Sequence, residues 1–284
     1  MDISRYLKEI DNIQNSDLLC RCCGAKVAVL SNASESICNF CEAFVTYDHA
    51  NVVHGSREIE KNLLGMQNAV ADGKWEEGVQ YADALAATKE PHFLFGASAF
   101  YRYFSDSIYN GIDYSLPGFM YSNSEKRSDE SNKNKFNAMA NISKSKEFLF
   151  KAIKIMNGTA SQDPEIIFLH FMSEIKLKRN VLSKKLLNDI KGSKTPDQIK
   201  SYSEMVYGVA TGDRQSEKYI SDSISKGVAN SIYYLSKYLA SNKREIEASI
   251  ILLTEFVKKT NMPMAYFDII SLKAVGNASY LEVY

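Results

Sequence analysis

Cysteine is absent from the last 243 residues of this 284-residue chain, histidine occurs four times, tryptophan once and proline five times. No stretch approaches the roughly 18 consecutive apolar residues of a bilayer-spanning helix, and the opening MDISRYLKEIDNIQNSDLL has charges throughout instead of the apolar run of an export signal. A soluble, cytoplasmic protein without membrane contact is expected. Neither sign of charge is in excess, 34 Lys and Arg facing 34 Asp and Glu, so no global positive field advertises a polyanion partner. The chain also lacks a glycine-rich phosphate loop, HExxH, GxSxG and any telling pair of carboxylates. His92 and His170 lie among apolar neighbours and read as packed helix residues instead of general bases. The expectation is a protein that is not an enzyme. With 45% hydrophobic and 24% charged residues the composition is that of an ordered globular chain, which excludes disorder and collagen-like repetition.

All five cysteines fall between positions 20 and 41: Cys20, Cys22, Cys23, Cys38 and Cys41. Read as Cys20-x-x-Cys23 and Cys38-x-x-Cys41, they form two knuckles 14 residues apart, the spacing of a four-thiolate metal site. Two intervening residues let a tight turn aim both sulfurs at one ion while backbone N–H groups donate to them, and Gly24 supplies the permissive backbone such a turn needs. Cys22 could stand in for Cys23, but its one-residue spacing from Cys20 favours Cys23 as the ligand. Residues 26–30 and 36–37 read as strands joined by a turn at 31–34. The segment 17–47 therefore resembles a zinc ribbon, and the resemblance implies one structural Zn2+ held by Cys20, Cys23, Cys38 and Cys41, with no open position for a catalytic water. Iron in a rubredoxin-like site is the rival metal; such knuckles usually carry Gly after each pair, and here Glu42 follows the second. Disulfides are the other rival, disfavoured by the odd cysteine count and the absent export signal.

Ahead of the ribbon, Ile3, Tyr6, Leu7, Ile10 and Ile13 predict a short amphipathic helix within residues 1–16. Beyond Ser56 the pattern is helical throughout, with about ten helices in a domain over 56–284. Starts are marked at Asp163-Pro164-Glu165, Thr195-Pro196-Asp197 and Asn242-Lys243-Arg244-Glu245, and stops at Gly73, Gly158, Gly192, Gly212 and Gly227. Ser223, Gly227, Ser231 and Leu235 follow the small-x-x-x-Gly-x-x-x-small-x-x-x-Leu order, and a shift of 34 residues places Asn261, Ala265 and Ile269 at the corresponding positions. This order resembles Sel1-like tetratricopeptide repeats, as does the turn-like Gly73-Lys74-Trp75-Glu76-Glu77-Gly78. The resemblance implies a mainly α fold, a helical-repeat solenoid preceded by the small β module.

Balanced charge hides a gradient. The first 119 residues carry 9 basic and 16 acidic groups, and residues 120–200 carry 16 and 9. Residues 108–127 form the longest stretch without periodicity and are rich in aromatics, which predicts an irregular insert. Tyr114, Phe119 and Tyr121, with Lys126, Arg127, Lys133 and Lys135 just after, are the candidate partner-binding residues. A protein partner held in the groove of the helical array is expected, making the chain a scaffold or adaptor. A nucleic acid bound by the basic segment 120–200 and the ribbon is the alternative, and a self-assembling homo-oligomer is the third.

Overall fold

Left-handed turns and apolar stripes together lay out the helices. The computed structural model describes residues 3–30, 35–46, 56–114, 124–158, 163–243 and 245–281. It is mainly helical, with a small β region near the N-terminus and, among the described residues, no helix long and apolar enough to cross a membrane. Helix α1 (Ser4–Asp11) buries Tyr6 and Ile10. The stripe expected to reach Ile13 stops two residues earlier, because Ile13 opens a strand. That strand, β1 (Ile13–Leu19), pairs antiparallel with β2 (Lys26–Leu30), and β3 (Glu35–Ile37) pairs antiparallel with β4 (Phe44–Thr46). The ribbon thus begins at residue 13, four residues before the expected boundary. Its strand content was hidden by IQNSDLL, whose polar centre shows no sustained alternation.

Eleven further helices follow among the described residues: α2 (Arg57–Ala71), α3 (Trp75–Ala87), α4 (Pro91–Tyr114), α5 (Ser124–Gly158), α6 (Pro164–Lys176), α7 (Asn180–Gly192), α8 (Asp197–Thr211), α9 (Ser216–Ser225), α10 (Ser231–Tyr238), α11 (Ile246–Thr260) and α12 (Pro263–Leu281). A π-helical turn, Leu239–Lys243, extends α10. At the start of α6 the Asp163 carboxylate accepts from the Glu165 backbone N–H at 2.9 Å, with Pro164 at the first helical position. Left-handed residues mark many of the turns. Lys178 and Gly212 follow α6 and α8, and Gly227 and Asn261 follow α9 and α11, the members of each pair lying 34 residues apart. Ser223 and Ser231, flanking Gly227, are fully buried and hydrogen-bonded to each other at 2.7 Å, so α9 and α10 approach closely through their small side chains.

The expected insert at 108–127 is helical over much of its length. Helix α4 continues to Tyr114, and α5 starts at Ser124 with Lys126 and Arg127 in its first turn. A stripe of aromatic residues suits a long helix packed on another as well as it suits a loop, and α4 and α5 form the most extensive helix pair of the fold. Phe119 and Tyr121 lie outside the described residues.

Successive helices pack as neighbours, while α4 also touches α6, α6 touches α8 and α8 touches α10. Tyr233 of α10 donates to Asp268 of α12 at 2.8 Å, and α12 packs back onto α4. Five helices, α4, α6, α8, α10 and α12, are thereby linked in a ring of contacts; the ribbon packs against α4, α6, α8 and α10, and its strands β1 and β2 lie against α11.

Candidate metal centre

The two knuckles are built alike. In the first, Cys20 N–H donates to the Ala25 carbonyl at 2.9 Å and Gly24 N–H to the Cys20 carbonyl at 2.8 Å; in the second, Cys38 N–H donates to Ala43 at 2.8 Å and Glu42 N–H to Cys38 at 2.9 Å. Each turn closes in the left-handed region, at Gly24 (φ 76°) and at Glu42 (φ 66°). Phe40 N–H also points at the Cys38 sulfur, 3.4 Å away, a donor to the charged sulfur of a metal-bound thiolate.

Cys20, Cys23, Cys38 and Cys41 are buried, and their sulfurs all lie within 4.8 Å of one another. Cys20 and Cys41 stand 3.6 Å apart, as do Cys23 and Cys38. Sulfurs held at about 2.3 Å from one tetrahedral ion would be about 3.8 Å apart, so the cluster is sized for a metal. No pair is bonded as a disulfide. Burial pushes the thiols of Cys22, Cys23, Cys38 and Cys41 up, whereas for Cys20 burial is outweighed by hydrogen bonds from the other four sulfurs. A divalent cation is the charge that would let sulfurs buried this closely deprotonate together. Cys22 is equally buried but is not one of these four mutually close sulfurs.

The residues between and after the cysteines anchor the site to the helical ring. Arg21, inside the first knuckle, lies 3.6 Å from Glu165 of α6, whose other oxygen is 3.1 Å from Nε2 of the buried His92 on α4. Gln67 of α2 donates to the Cys23 carbonyl at 2.9 Å. Gly96 of α4 faces the backbone of Cys22 so closely that a Cβ there would sit 2.0 Å from the Cys22 carbonyl oxygen.

One carboxylate gathers three of the contacts that hold the second knuckle. Glu42 accepts from Lys176 of α6 at 2.5 Å, Tyr202 of α8 at 3.1 Å and Tyr234 of α10 at 2.7 Å. Burial opposes its ionisation, but the Lys176 ammonium and the three hydrogen bonds prevail and hold the carboxyl below its ordinary value. Burial, then the neighbouring Glu42, push both phenols well up, so they remain protonated donors. Tyr103 donates to the Phe40 carbonyl and packs edge-on against its ring, and Asn230 donates to the Cys38 carbonyl at 3.3 Å.

The sequence pointed to the four sulfurs and missed these anchors. Glu42 did carry a signal, since it stands where a knuckle normally places glycine. Lys176, Tyr202 and Tyr234 carried none, because each reads as an ordinary helix residue until the ribbon is placed among them. Beside the ribbon is a cavity of about 450 Å³ bordered by Glu42, Tyr233, Tyr234, Lys237 and Met264. Among the partner-binding candidates, Lys133 and Lys135 are exposed on α5. Tyr114 closes α4, and Lys126 and Arg127 are near the start of α5.

Compared with protein-family models, with curated proteins and with solved structures, the chain finds no significant match.

Proposed function

We propose that this protein is a non-enzymatic, cytoplasmic interaction scaffold in which a structural zinc ribbon serves as the hub of a tetratricopeptide-like helical array. The observation that carries this reading is the enclosure of the four sulfurs. Each is buried, both knuckles are tied to the ring through Arg21 and Glu42, and four thiolates fill a tetrahedral ion's coordination sphere. Such a centre shapes a surface instead of transforming a substrate. The 34-residue interval between equivalent left-handed turns supports the repeat assignment, with α6–α7, α8–α9 and α10–α11 as successive helix pairs. All-sulfur coordination at these distances favours zinc over the harder divalent cations. Because the ribbon packs on α4, α6, α8 and α10, the partner is expected on the helix surfaces that it leaves open.

The test is affinity capture from native lysate at moderate salt, with and without nuclease, alongside metal analysis of the bait. Protein partners that survive nuclease, with one equivalent of zinc, support the scaffold. Loss of every partner on nuclease treatment overturns it in favour of nucleic-acid binding, and iron in place of zinc overturns the metal assignment.

A further inference from the structure

Two ridges run side by side along the second half of α5. Lys146, Phe150 and Lys154 recur at four-residue intervals on one, while Lys144, Phe148, Lys151 and Ile155 follow three- and four-residue steps on the next. Phe150 is half exposed. The flanking surface contains two hollows. One, of about 500 Å³, is bordered by Ser143, Lys146, Glu147, Phe150, Lys151 and Lys154. The other, of about 420 Å³, is floored by Ala86, Leu94, Phe148 and Ile155 and rimmed by Asp83, Lys89, Lys144, Lys151 and Lys154. Lys151 and Lys154 border both, so the two hollows form one continuous surface.

Its charge is not internally balanced. Lys144 lies 3.6 Å from Asp83 and Lys151 2.6 Å from Glu147, yet among the described residues Lys89, Lys146 and Lys154 form no ion pair. Apolar and cationic groups are also interleaved, not segregated. The Lys144 ammonium sits 5.4 Å from the centre of the Phe148 ring and that of Lys151 5.6 Å, and the Arg179 guanidinium is 5.9 Å from the centre of Phe150. A solvated helix face needs neither apolar hollows nor a half-exposed Phe between its lysines.

We propose that this face docks an acidic amphipathic segment of a protein partner, its apolar side chains seated in the two hollows and its carboxylates meeting Lys89, Lys146 and Lys154. Charge complementarity selects the occupant's sign, and the hollows select a peptide over a nucleic acid. A phosphodiester backbone would satisfy the lysines but leave the apolar floor and Phe150 without a mate. The inference rests on the scaffold reading and names the chemistry of its partner.

The test pans a library of random peptides, four to five helical turns long, against the full chain purified with its metal, and measures the selected peptides by fluorescence anisotropy. Expected are sequences with Asp or Glu flanking Leu, Phe or Trp. Their affinity should fall at least about tenfold with Lys146→Glu/Lys154→Glu and about fivefold with Phe150→Ala. Both variants alter exposed side chains, and an unchanged melting temperature verifies that they fold. Selected peptides without acidic bias, or affinities that survive both variants, overturn the proposal. So does an RNA oligonucleotide that binds more tightly than any selected peptide and loses affinity only in the charge-reversed variant. Lysate capture separates the two levels: partners retained by that variant sink this surface alone, whereas no nuclease-resistant partner for the native chain sinks the scaffold.

Discussion

Gly96 and the Cys22 carbonyl oxygen lie closer than any side chain permits, since a Cβ on Gly96 would come within 2.0 Å of that oxygen. The obstruction is backbone, fixed by the knuckle, so neither partner can swing aside. Gly96→Ala should therefore cost about 3 kcal/mol, the upper range of overpacking in a rigid core. Chemical denaturation checks the value, and an unchanged midpoint would mean that the knuckle does not press on α4 as described.

Cys38→Ser should abolish stoichiometric metal, because the remaining three thiolates bind far more weakly, whereas Cys22→Ser should keep one equivalent. Elemental analysis of the two purified variants reads this directly. Retention by the first and loss by the second would reassign the ligand set.

Glu42 combines a left-handed backbone with an anchoring side chain, and two substitutions separate these roles. Glu42→Ala keeps the unfavourable backbone and strands the Lys176 ammonium, the buried Tyr202 hydroxyl and the part-buried Tyr234 hydroxyl, for an expected loss of about 3 kcal/mol. Glu42→Gly loses the same contacts but relaxes the backbone, and should be about 1 kcal/mol more stable than the alanine variant. Equal melting curves for the two would show that the backbone at 42 carries no strain.

Asp106 sits where the ring closes. Burial pushes its carboxyl up, against the opposing pull of Arg102, and the nearby Asp268 adds to the rise. An acid whose folded pKa is raised contributes stability fully below its ordinary value near 3.9, and loses that contribution as pH rises through the folded value. Relative to the native chain, Asp106→Asn should then fare best near pH 7, with its advantage shrinking toward about pH 4. Thermal melts of both proteins across that interval provide the comparison, and a difference independent of pH would contradict the assignment.

How much of this was legible in the sequence depends on the range of the signal. The clustering of the four sulfurs was, because a knuckle is specified within four consecutive residues. The start of α6 and the left-handed turns at Gly73, Gly212 and Gly227 were, because capping and φ > 0 leave local marks. The strand at Ile13 and the continuation of α4 past Ile108 were not, since pairing partners and packing neighbours override weak local periodicity there. The seating of the ribbon against the helices was the least accessible. It depends on Lys176, Tyr202 and Tyr234, which are 134, 160 and 192 residues from Glu42.

Those separations have a consequence in time. Residue 42 leaves the ribosome long before its most distant anchor at 234, which at ordinary elongation rates follows on the order of ten to forty seconds later. Throughout that interval the knuckles can bind metal, but the faces that will meet the ring are still exposed to water and to other chains. Native pairing over such spans also pays a large loop-closure entropy, which slows the final step. Maturation of this protein is therefore a waiting problem, in which an early-made centre must stay intact until the chain that will enclose it has been synthesised.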